Sequence, residues 1–89
     1  MKGRHVSDPR YHFGPMDELY DFVLGMVERR FGSETKDRFV GWLREATPTQ
    51  AHMNVMLVEM ALSGTPMGDR HLVLTGFTPE GQPLIHLRQ

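Results

Sequence analysis

Eighty-nine residues, 39% hydrophobic and 24% charged, describe one ordinary globular domain with room for a single core. Ten Lys plus Arg against eleven Asp plus Glu leave a net charge of −1, which offers little for a phosphate backbone to hold. The absence of cysteine removes disulfides, thiolate zinc sites and thiol nucleophiles together, and suits a reducing, cytoplasmic setting.

Residues 1–13 read as a polar N-terminal arm, with Lys2, Arg4 and Arg10 set among Tyr11, His12 and Phe13. Neither a signal-peptide layout nor a long apolar run is present in it, so no membrane partner is expected. A helix should begin at Gly14-Pro15, since proline is tolerated at the first helical position and Asp17, Glu18 and Asp21 suit the positive end of the helix dipole. Met16, Leu19, Tyr20, Val23, Val27 and Phe31 follow helical spacing, Arg29 and Arg30 complement the carboxyl end, and Gly32 can stop the helix. Ser33 is expected to cap a second helix with Phe39, Val40, Trp42, Leu43 and Ala46 inward and Glu34, Lys36, Asp37, Arg38 and Arg44 in water.

Thr47 and Gln50 have the spacing of a capping box, with Pro48 at the first helical position, so a third helix should run to about Ser63 and end at Gly64. Met53, Val55, Leu57, Val58, Met60, Ala61 and Leu62 cover well over half its circumference, leaving His52, Met56, Glu59 and Ser63 for solvent or a partner. A helix this apolar belongs in a core, and Asn54 within it needs a hydrogen-bond partner. Residues 64–70 read as a loop. The stretch HLVLTGFTPEGQPLIHL then reads as a β-hairpin, with Gly81 supplying the left-handed residue of the turn. Simple alternation places Val73, Thr75, Phe77, Pro83, Ile85 and Leu87 on the face toward the helices. Leu72, Leu74, Gly76, Leu84, His86 and Arg88 then fall on the other face.

The expected fold is therefore α+β, a single αααββ domain over 14–89. A three-helix, bundle-like core is followed by a C-terminal antiparallel β-hairpin, an element order shared with winged helix-turn-helix domains.

Three chemistries can be weighed against this frame. In the register above His71 and His86 point to opposite sides and cannot share a metal. A four-residue loop would slip the register and set His86 opposite Val73, diagonal to His71, still without third and fourth ligands. HExxH is absent, so neither a metal site nor a cofactor is expected. The segment HLVLTGF resembles the histidine strand of papain-like cysteine peptidases, which would make His71 a general base; the chain has no cysteine for it to activate. No other catalytic motif is found, and the reading is non-enzymatic. For DNA, Arg4, Arg10, Arg29 and Arg30 are the candidate contacts, but no Lys or Arg lies between Glu45 and Asp69, where a recognition helix would carry them. A nucleic-acid partner is thus the weaker alternative.

The leading expectation is a small accessory or regulatory protein that binds a larger protein and modulates or inhibits it, in the manner of phage- or plasmid-encoded modules. Tyr11, Phe13, Leu72, Leu74, Leu84, His86 and Arg88 are the candidate partner-binding residues, from the second hairpin face and the aromatic arm; Tyr, Phe, Met and Arg are the types enriched at interface cores. A homodimer pairing through the hairpin's edge or face is a further expectation.

Overall fold

The computed structural model describes residues 16–89, and Tyr11, Phe13, Arg4 and Arg10 lie outside them. The fold is α+β: helices α1 (Asp17–Phe31), α2 (Ser33–Glu45) and α3 (Pro48–Leu62) precede strands β1 (Pro66–Met67), β2 (Arg70–Phe77) and β3 (Pro83–Arg88). The strands form one antiparallel sheet in the order β1-β2-β3.

Local chemistry explains most of the boundaries. One residue, Gly32 at φ +95°, separates α1 from α2 and stands at the cap position of both. Ser33 is therefore the first residue of α2 and makes no capping bond, contrary to the sequence expectation. The capping box of α3 forms as expected. The Gln50 amide donates to Thr47 Oγ1 at 3.2 Å, and the Thr47 amide donates to Gln50 Oε1 at 3.4 Å. At its other end Thr65 N–H reaches Met60 O (3.0 Å) and Gly64 N–H reaches Ala61 O (3.2 Å), a Schellman closure around Gly64 at φ +65°. Asn54 finds its partner by donating to Gln50 O at 2.8 Å.

The segment expected to be a loop contains β1, which turns back on β2 through Gly68-Asp69 with Met67 opposite Arg70. Gly68 takes φ +71°, the freedom that a two-residue hairpin turn demands.

Every fully buried large side chain of the described residues comes from a helix: Leu24, Val23 and Val27 of α1, Phe39 and Leu43 of α2, Val55 and Val58 of α3. Each contributes about 1.5–3 kcal/mol by leaving water. The sheet closes this core through Leu72 and Leu74, with Phe77 and Ile85 partly buried against it. Phe77 is the main bridge, its ring 5.4 Å from Phe31 and 5.0 Å from Phe39, which in turn stacks on Trp42. Lys36, expected on the wet face of α2, is buried, with Nζ 3.1 Å from Asp37 Oδ1; the aliphatic stem of lysine allows such burial when the charge is matched.

Candidate functional site

The hairpin register decides which side chains β2 and β3 present. Pairing starts as expected, Phe77 opposite Pro83 and Gly76 opposite Leu84, and then slips by one residue between Gly76 and Leu74. A β-bulge at Thr75 causes the slip, and the Thr75 hydroxyl donates to Leu84 O at 3.3 Å across it. Beyond the bulge Leu74 opposes Ile85, Val73 opposes His86, Leu72 opposes Leu87 and His71 opposes Arg88.

One extra residue exchanges the two faces of β2. Leu72 and Leu74, expected on an exposed docking face, are buried at 8% and 7% exposure and belong to the core. Val73, expected inward, joins the outer face. Leu87 stands on the inner side near the sheet's end, where it stays 48% exposed. The outer face thus carries Leu84, His86 and Arg88 from β3 with His71 and Val73 from β2, and the three β3 residues are all exposed. Of the seven candidate partner-binding residues, the structure brings these three together.

The slip also gives the histidines the alternative arrangement, with His86 opposite Val73. His71 and His86 lie diagonally on one face. Among the described residues no group of three or more His, Asp or Glu side chains gathers where a metal could be held. Nearby, Gln89 Nε2 donates to Asp69 Oδ2 at 3.4 Å, tying the strand end to the β1–β2 turn.

A second surface was foreseen only in part, at Met56. Met53 and Leu57, expected in the core, are 56% and 38% exposed, and Met56 is 39% exposed beside them. The inner residues of α3 are instead Ala51, Val55, Val58 and Ala61. Small side chains there let the helix approach the sheet and the other helices closely, so the longer methionines and leucine are turned outward. The wheel could not reveal this because α3 is apolar on nearly all sides; side-chain size was the available signal.

The arginines of the nucleic-acid alternative fall at the end of α1, where Arg29 and Arg30 are exposed and Arg30 lies 5.7 Å from the centroid of the Phe31 ring. Tyr20, on the buried side of α1, has its phenol pKa raised, first by burial and then by the nearby Asp17 carboxylate. No helix of the described residues is long and apolar enough to cross a membrane. No protein-family model, curated protein or solved structure matches the chain.

Proposed function

We propose that this protein is a small accessory or regulatory protein that acts by docking on a larger protein partner through the outer face and outer edge of β3. The observation that carries this reading is the position of β3. Among the described residues it is a six-residue strand at the sheet's edge, with Leu84, His86 and Arg88 exposed on its outer face. An edge strand offers unpaired backbone N–H and C=O groups to an incoming extended segment. Main-chain hydrogen bonds supply affinity in that mode, and alternate side chains supply selectivity. Leu84 would take an apolar contact and Arg88 a carboxylate of the partner. Modulation or inhibition of the partner follows if the occupied segment is one it needs.

A winged-helix DNA-binding role is the second reading, favoured by three helices followed by a hairpin. Its recognition helix would be α3, whose outward side presents Met53, Met56 and Leu57 where base edges and phosphates call for Arg, Lys, Asn or Gln. Protein docking is therefore preferred.

The test is capture from source-cell lysate by the full-length tagged chain, with nuclease-treated and untreated halves and a Leu84→Glu/Arg88→Glu variant in parallel. We expect one protein near stoichiometry with the wild type in both halves and its loss with the variant. Equal recovery by the variant would rule out β3 as the docking strand. Recovery only without nuclease would shift the reading to DNA.

A further inference from the structure

The outward side of α3 carries an inference independent of the β3 reading. Met53, Met56, Leu57 and half-buried Met60 stand at positions i, i+3, i+4 and i+7, and at about 100° per residue they share an arc of about 100°. This is the spacing of a helix seam that meets another helix. Two features of the stripe select the occupant.

The first is its symmetry. About the midpoint between Met56 and Leu57, position 53 maps onto 60 and position 56 onto 57. A second α3 laid antiparallel across a two-fold axis at that midpoint therefore sets Met53 against Met60 and Met56 against Leu57, apolar against apolar throughout. A parallel copy would set each stripe residue against itself, also apolar on apolar, so the polar residues on the flank decide the direction.

The second is charge. No Lys or Arg lies between Glu45 and Asp69, and Glu59 is the one charged residue of α3. The two-fold operation brings like flank to like flank. Glu59 of one copy then lies about 3 Å along the axis from His52 of the other, while the two Glu59 residues are staggered by about 7–8 Å. Ser63 Oγ donates to Glu59 Oε2 at 3.4 Å and holds the carboxylate on this side. Among the described residues Nδ1 of His52 is enclosed without a hydrogen-bond partner, so the ring meets its surroundings through Nε2. The one acidic side chain of the helix is thus placed beside a possible donor and away from its own copy.

We infer that α3 mediates a two-fold symmetric homodimer, packed antiparallel through Met53, Met56, Leu57 and Met60 with His52–Glu59 contacts along one flank. One face of a four-turn helix falls short of the ~800 Å² that each partner buries in a tight complex, so the dimer is concentration-dependent. It leaves β3 on a different surface, so each dimer offers two copies of that edge.

Sedimentation velocity of the full chain, from low to high micromolar, should show a shift from 10.2 kDa toward twice that mass. Leu57→Asp should keep the monomer mass throughout with an unchanged far-UV spectrum, whereas Leu84→Glu should dimerise like the wild type. The cysteine-free background allows a sharper readout of geometry. In the antiparallel pair the two Met56 Cα atoms are about 6 Å apart, within disulfide range, and the two Met53 Cα atoms about 11 Å apart, outside it. Met56→Cys should cross-link on mild oxidation and Met53→Cys should not. A chain that stays monomeric at every concentration, or Met53→Cys cross-linking as readily as Met56→Cys, would overturn the proposal. A dimer lost in Leu84→Glu and kept in Leu57→Asp would move the contact to the sheet edge and overturn it equally.

Discussion

Gly81 sits at φ +100° in the β2–β3 turn, where its N–H donates to Thr78 O at 2.9 Å. The turn is seated on α2: a Cβ at Gly81 would run into the carbonyl oxygen of Arg38 and stand 3.0 Å from the Phe39 nitrogen. Any side chain thus meets both an unfavourable backbone conformation and helix backbone that cannot swing aside. We predict that Gly81→Ala costs at least about 2 kcal/mol, a fall of about 10 °C or more in Tm for a domain of this size. A thermal melt followed by circular dichroism checks it, and a shift of only a degree or two would show that the turn is not held against α2. The need for a left-handed residue in TPEGQ was readable from sequence. Its contact with α2 was not, because nothing local in Gly81 names a neighbour more than forty residues away.

The hairpin shows how an element can be recognised and still be assigned the wrong faces. Both strands and the Phe77–Pro83 pairing follow from alternation and turn chemistry. The bulge does not, although an isolated Gly76 within a strand is the usual sign of one. Likewise Gly68-Asp69 is a two-residue turn signal that would have revealed β1. In α3 the pattern itself was insufficient, since an all-round apolar helix leaves its inward side to be chosen by the size of the residues at the contact. These reversals make a direct comparison possible. Leu74→Asp buries a carboxylate within the apolar cluster at a site 7% exposed, and should unfold the domain at room temperature. Leu84→Asp, on the other side of the same hairpin and 38% exposed, should melt within about 1 kcal/mol of the wild type. Near-equal stability of the two variants would mean that β2 and β3 pair in the unbulged register after all.

At the scale of the whole molecule, the fully buried core is helical and the sheet closes it, so the question is whether helices and hairpin unfold together. Phe77 joins them beside Leu72 and Leu74, its ring against Phe31 of α1 and Phe39 of α2, while Phe39 stacks on Trp42 at 6.4 Å. Truncating a core phenylalanine costs about 3–5 kcal/mol, and half-burial puts Phe77 nearer 2–3. In a two-state domain that loss belongs to every element at once. We therefore predict that Phe77→Ala lowers Tm by about 10–20 °C and does so identically by two probes, far-UV circular dichroism for the helices and Trp42 fluorescence for the junction with the hairpin. Were the hairpin an appendage, Trp42 would report an early transition while helical signal persisted at the wild-type midpoint. Coincident curves bear on both surfaces proposed for contact. A partner bound along β3 and a second copy packed on α3 would each stabilise the same folding unit, so occupation of either should raise the single Tm by mass action.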